Sequence, residues 1–307
     1  MSGLIQLSGV IVDLIYRVDA VPRPGQEALV SGFTATTGGG LNAMVAARRS
    51  GMEVAYGGRI GTGPFGDLVA RDIAAHGISI VGTRAPSHDQ GCCTVLIDDA
   101  GERTFIAGDG AEGQVAPADL DALPLERFGW SLLSGYSLYY AGAREAFAGL
   151  LESGRSIPNL VFDPSPLAGE IPEKLMQAAL NRAHWVSCND TEARAITGEA
   201  DPERAARILA KSASGGAVLR LGADGCLLAQ GGSLHHHSAF RVDAIDTNGA
   251  GDAHVGSFIA ALSRGLTPAQ AAEYANVAAA LSTTVHGPAT APLRAEVLDV
   301  MKLNAAG

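Results

Sequence analysis

The residues of this chain best suited to chemistry form one short run, Asp246-Thr247-Asn248-Gly249-Ala250-Gly251-Asp252, just before an apolar stretch of helical length. Gly249, Ala250 and Gly251 carry almost no side chain, so a ligand can approach their backbone closely. Their N–H groups lie where a helix begins, and the free amides and dipole of a helix start attract an anion. Asp252 then adds a carboxylate in the first turn. The bland alternative is an ordinary loop in which Asp252 is only a favourable N-terminal charge. Three small residues between two aspartates are a poor choice for stability alone, because glycine leaves the unfolded backbone extra freedom. An anion nest beside one carboxylate suits phosphoryl transfer. That reaction needs charge stabilisation at the γ-phosphate and a base near the attacking hydroxyl.

Missing residues exclude the other common phosphate chemistries. A Walker A loop requires Gly-Lys followed by Ser or Thr; the lysines are Lys174, Lys211 and Lys302, and none follows a glycine. Neither His-Arg-Asp nor Asp-Phe-Gly of the protein kinases occurs. Gly61-Thr62-Gly63-Pro64-Phe65-Gly66 matches the dinucleotide fingerprint literally, yet it lies outside the first βα unit and Pro64 removes an N–H. No acidic residue ends the short strand expected at 79–82, and Asp89 comes only after a proline-containing loop. This run reads as a structural turn, and the rival it leaves is a nicotinamide-dependent oxidoreductase.

Positioning these residues requires a frame. The chain has 307 residues, 47% hydrophobic and 18% charged, which suits one large α/β domain with an accessory element, or two domains. Its net charge of −10 is spread without a basic block, so nucleic acid and anionic membranes are poor partners. Cys92, Cys93, Cys188 and Cys226 form no CxxC pair and read as free thiols in a reducing compartment. No positive signal-peptide region opens the sequence, and no apolar run reaches the roughly 20 residues that span a bilayer. A cytoplasmic protein is the expectation.

Residues 4–12 form an apolar run of strand length. Short β-like pieces follow at 28–31 and 34–36, and a hairpin at 92–97 and 103–107 flanks Asp98-Asp99-Ala100-Gly101. Elsewhere, strands at 54–59, 130–134, 159–162, 185–188, 217–221 and 226–230 alternate with helices, among them 41–49, 250–263 and 267–281. Such alternation predicts a parallel sheet with helices on both faces. The β-only inserts, 13–37 and 92–107, predict a small lid over a large domain made of 1–12, 38–91 and 108–307. His235, His236 and His237 cannot converge on one metal, because successive strand residues face opposite ways. Tyr136, Tyr139 and Tyr140 follow a strand end, with packing their expected role.

Together these motifs resemble those of the ribokinase-like (pfkB) carbohydrate kinases. The family's Asp-Thr-x-Gly-Ala-Gly-Asp signature is matched by Asp246 to Asp252, and its glycine cluster followed by Asn by Gly38-Gly39-Gly40-Leu41-Asn42. Its Asn-x-x-Glu motif is matched by Asn189 to Glu192, and its Leu-Gly-x-x-Gly turn by Leu221 to Gly225. The segment from Ala275-Asn276 to Gly287 is similar to the adenine-side helix and loop.

The resemblance implies a three-layer αβα sandwich with a mostly parallel central sheet and a β lid. It implies an ATP-dependent kinase acting on a hydroxyl of a sugar or sugar-like molecule, with a nucleoside kinase as the near alternative. Asp252 would be the base, and Gly249, Ala250 and Gly251 the anion hole. Asp13, Gly39, Gly40 and Asn42 would hold sugar hydroxyls, the Asp13 carboxylate accepting two neighbouring ones. Asn189 and Glu192 would organise Mg²⁺ and the phosphates through water. Gly222, Gly225 and Asn276 would line the nucleotide site. Arg220 stands where many members carry Thr, which alters a nucleotide contact, and His254 stands where many carry Phe. Some relatives bind K⁺ near Asp246, Asn248 and Thr283, an option left open here because Val285-His286-Gly287-Pro288 departs from the common sequence. Lids of this family often pair, which implies a homodimer.

Overall fold

Strands covered on both faces need apolar residues on both, and that pattern frames the structure, a computed structural model that describes residues 3–305. The strands in chain order are Leu4–Gln6 (β1), Val10–Val18 (β2), Val30–Gly39 (β3), Val54–Tyr56 (β4), Ser79–Ile80 (β5), Cys92–Ile97 (β6), Arg103–Gly108 (β7), Trp130–Ser134 (β8), Leu160–Asp163 (β9), Trp185–Asn189 (β10), Gly216–Arg220 (β11), Cys226–Gln230 (β12) and Ser233–His237 (β13). Nine of them form one sheet in the order β13-β12-β11-β10-β9-β8-β1-β4-β5. The strands from β5 across to β11 run parallel, whereas β12 and β13 close one edge antiparallel. Alternation along β11 shows the two-sided burial: Val218 joins one core, while Ala217 and Leu219 join the other. Helices Gly40–Arg49, Ala250–Ser263 and Pro268–Ser282 cover the first face. Helices Ala141–Glu152, Glu173–Arg182 and Pro202–Ser212 cover the second.

Strand β1 is flanked by β4 and β8, and the chain winds outward from it on both sides. Such a switch in strand order opens a crevice at the carboxyl ends of the strands, where ligands of open α/β sheets bind. The other sheet, β3-β2-β6-β7, lies over that crevice as a lid.

Two strand expectations need correction. Residues 4–12 are not one strand: the chain leaves the large sheet after Gln6, and Val10–Val12 already belong to the lid. Val10 and Val12 are fully buried where the two sheets meet, so the apolar run continues across a change of sheet that hydrophobicity cannot register. Asp13 consequently sits inside β2 rather than after a strand. The pieces expected at 28–31 and 34–36 are not separate: residues 30, 31 and 34–36 lie in one ten-residue strand, β3, which pairs with β2 almost throughout, while 28 and 29 precede it. Cross-strand pairing supplies what Gly32 lacks by itself.

A close helix crossing brings the chemistry together. A Cβ on Gly256 would stand 2.2 Å from the carbonyl oxygen of Ala43. With glycine there, helix Ala250–Ser263 lies directly against helix Gly40–Arg49, and their N-terminal turns meet.

Candidate active site

Neighbouring parallel strands end on residues that face a single cleft of about 2100 Å³: Ser134 on β8, Asp163 on β9, Asn189 on β10 and Arg220 on β11. Ser134 and Asp163 are register partners, as are Asn189 and Arg220. From the lid, β2 contributes Asp13. The two crossing helices, with the residues that lead into them, contribute Gly39, Gly40 and Asn42 on one side and Asn248, Gly249, Ala250, Gly251 and Asp252 on the other. Glu192, Gly222, Gly225, Asp246, Asn276 and Thr283 complete the walls, so every site residue singled out from the sequence lines this cleft.

At the helix start, Gly249 adopts φ 75°, a left-handed conformation that admits glycine with little strain. The N–H of Ala250 reaches the Thr247 carbonyl at 3.3 Å, while those of Gly251 and Asp252 have no acceptor among the described residues. Asn42 donates from Nδ2 to Asp252 Oδ2 at 3.1 Å, and its Oδ1 accepts the Ala289 N–H at 2.8 Å. The second bond fixes the amide so that the donor faces Asp252. Burial, reinforced by the Asp163 charge, pushes the Asp252 carboxyl up to about 7, against the opposing pull of Asn42 and Arg220. Asp13 is pushed up to about 6 by burial, and no protein donor reaches its carboxylate among the described residues.

The Asn-x-x-Glu motif has a local reason for its spacing. Asn189 Oδ1 accepts from the Glu192 N–H and Glu192 Oε2 accepts from the Asn189 N–H, both at 2.8 Å, a reciprocal cap on helix Asp190–Thr197. Glu192 also faces Arg220, whose Nη2 lies 3.5 Å from Oε2. Arg220 Nη1 donates to Asp163 Oδ2 at 3.2 Å and to Ser187 Oγ at 2.6 Å. Its Nε lies 3.5 Å from where a Cβ on Gly251 would be, so the guanidinium runs alongside the nest. Burial and Asp163 lift Glu192 to about 7, while Arg220 and the cap restrain it. Sequence reasoning missed Asp163. Its signal was a lone charge closing the apolar run Leu160-Val161-Phe162, at the carboxyl end of a parallel strand.

Asn276 gives its amide to protein groups. Nδ2 donates to the carbonyls of His237 and Ser238 at 2.9 and 3.1 Å, and Oδ1 lies 3.1 Å from His254 Nε2. Burial, with Arg220 nearby, pushes His254 down to about 3, so the imidazole is neutral and donates through Nε2. Histidine in place of the expected Phe thus anchors Asn276.

Asp246 ties two loops to the lid. Its Oδ1 accepts from Arg103 Nη2 at 2.7 Å and from the Asn248 N–H at 3.0 Å, and its Oδ2 accepts from the Gly287 N–H at 3.1 Å. Burial alone would raise this carboxyl; the three donors outweigh it and hold it below the usual range. The Thr283 carbonyl accepts from the N–H groups of both Ile245 and Asp246. These oxygens accept from protein donors, and Arg103 brings positive charge to Asp246. In the fingerprint turn, Phe65 and Gly66 donate to Asp89 and Gly61 donates to Gln90. The protein's own carboxylate fills that loop, which does not line the cleft.

A layered α/β fold, a β lid and a helix start facing a buried carboxylate are the parts of a small-molecule phosphotransferase. The profile of the pfkB carbohydrate kinases matches residues 4–295, and the chain belongs to that family. It is an ATP-dependent carbohydrate kinase. An ATP-dependent ribose-1-phosphate kinase of Halopiger xanaduensis is 31% identical over 288 residues, covering 91% of each chain. The crystal structure of a ribokinase from Thermotoga maritima superposes with a TM-score of 0.87 at 25% identity, covering 98% of this chain and all of the other. An Escherichia coli protein described as ribokinase II, solved with ATP and Mg²⁺, shares the fold with a TM-score of 0.81 at 20% identity, covering 99% and 100%.

Proposed function

We propose that this kinase transfers the γ-phosphoryl group of ATP directly to a sugar hydroxyl held between Asp13 and Asp252. The observation that carries the reading is a buried carboxylate, Asp252, in the same first helical turn as two backbone donors without acceptors among the described residues, its own N–H and that of Gly251. Asp252 accepts the hydroxyl proton as the oxygen attacks phosphorus, and the bond from phosphorus to the bridging oxygen breaks toward ADP. Charge on the transferring oxygens falls to the Gly251 and Asp252 N–H groups, where preorganised donors are most effective. Asn42 orients the base, Asp13 and the backbone at Gly39 and Gly40 hold the sugar, and Gly222 and Gly225 flank the nucleotide. Asn276 braces the wall behind it. Glu192, Asn189 and Asp163 form a donor set that fits a hydrated Mg²⁺, which when bound neutralises phosphate charge.

A second reading, a nucleoside acceptor, is favoured by Tyr136 and Tyr140, whose rings stack at 6.1 Å on the cleft wall. ADP release, screened with MgATP over pentoses, hexoses, ribose 1-phosphate and nucleosides, separates the two. Turnover is expected with one of these acceptors, and none with any would contradict the kinase reading. Asp13→Ala should weaken that acceptor's binding by about 1.5–3 kcal/mol, the worth of a charged hydrogen-bond partner, while ATP affinity holds. Loss of ATP binding instead would remove Asp13 from the acceptor site.

The chain also fits assembly as a homodimer in the ATP-rich, reducing cytoplasm. The four cysteines are free, no described helix is long and apolar enough to cross a membrane, and the lid exposes Phe33, Phe105 and Ile106. Light scattering should return the mass of two chains; a monomer at micromolar concentration would refute lid pairing.

A further inference from the structure

Arg103 opens β7, at the end of the lid hairpin next to its turn, where it pairs with Ile97. It reaches across the cleft to Asp246, on the loop that leads into the nest. The contact is 2.7 Å long, with the Arg103 side chain 31% exposed and that of Asp246 12% exposed. Among the described residues it is an ion pair joining the lid to this loop. Asp246 is itself held by the Asn248 and Gly287 N–H groups. Asp246 thus gathers Asn248 and Gly287 on its own side of the cleft, and Arg103 ties that knot to the lid. Such a charge-assisted bond is short and directional.

We propose that Arg103 is a positioning residue for phosphoryl transfer: a lid-borne guanidinium that, on reaching Asp246, fixes the loop whose next residues form the anion hole. The proposal rests on the kinase reading above. The anion hole is in register only with the lid down, so water is excluded from the γ-phosphate at the moment the hole is set. Coupling of this kind protects ATP from hydrolysis when no acceptor is present.

The test compares wild type, Arg103→Gln, Arg103→Lys, Asp246→Asn and the double variant Arg103→Gln/Asp246→Asn, using the acceptor that turns over fastest in the panel above. Arg103→Gln should lower kcat by roughly 10–100-fold while ADP affinity, measured by calorimetry, changes less than about twofold. Arg103→Lys, with the charge but not the planar fork, should fall between. The double variant should be no slower than the worse single variant, because both substitutions remove one contact. Free guanidinium at millimolar concentration should restore part of the Arg103→Gln rate, which it would not do for a purely structural loss. Unchanged kcat, a defect confined to ATP affinity, or additive losses would each overturn the proposal. A wild type inactive with every acceptor would instead refute the kinase reading, so the two failures are distinguishable.

Discussion

Asp252→Asn is expected to lower kcat by roughly 10²–10⁴-fold, the usual worth of a positioned general base, with ATP affinity and the fold retained. The amide matches the carboxylate in shape and can still accept from Asn42 Nδ2 through its own Oδ1, but it cannot take the hydroxyl proton. The same substitution should stabilise the protein at neutral and alkaline pH. Burial raises the Asp252 carboxyl from 3.8 to about 7, so the folded state binds a proton that the unfolded chain releases. That contribution to stability is fully present below about pH 4 and is lost as pH rises through about 7. Asn carries no such ionisation, so the variant's melting temperature should exceed the wild type's at pH 8 and approach it near pH 4. A variant with near-wild-type turnover, or one less stable at pH 8, would contradict the assignment.

Arg220→Gln is expected to damage both activity and stability. It removes the cation that Asp163 and Glu192 share, and breaking a buried pair typically costs about 3–5 kcal/mol. The loss should shrink toward pH 5, where Glu192, lifted to about 7, takes up a proton. Activity should fall by roughly 10²–10³-fold, comparable to deleting one donor from a preorganised anion site, because the guanidinium lies against Gly251. The pH profile separates this from mere unfolding. Arg220 lowers the Asp252 carboxyl and Asp163 raises it, with Glu192 adding to the rise and Asn42 opposing it. Arg220→Gln should therefore move the acid limb of kcat/KM to higher pH, and Asp163→Asn should move it lower. Arg220→Lys, which keeps the charge, should shift it least. Limbs moving together in the two neutralising variants would refute this arrangement.

The features legible in the sequence share a physical property: they are local. Gly249 to Asp252, Gly38 to Asn42, Asn189 to Glu192 and Leu221 to Gly225 each set a short backbone geometry through glycines or caps, from residues a few positions apart. Alternating apolar strands and amphipathic helices made the layered fold readable as well. What could not be read joins distant residues: Asn42 meets Asp252 across 210 positions, Ala289 meets Asn42 across 247, and Arg103 meets Asp246 across 143. No periodicity encodes such pairs, because the sheet order and the Gly256 crossing create them. Asp163 was hidden for the same reason. Its neighbours Ser134 and Arg220 come together only when β8 to β11 align at their carboxyl ends. The break after Gln6 stayed invisible because both of its sides are buried.

The most direct measurement is kcat/KM for the acceptor, at saturating MgATP, for wild type and Asp252→Asn in parallel between about pH 5 and 9. Wild type should rise with pH through an ionisation near 7, where burial and Asp163 place Asp252. Asp252→Asn should be slower throughout and lack that ionisation. A variant that keeps the same rising limb at a comparable rate would show that the proton goes elsewhere, and Asp252 would not be the base.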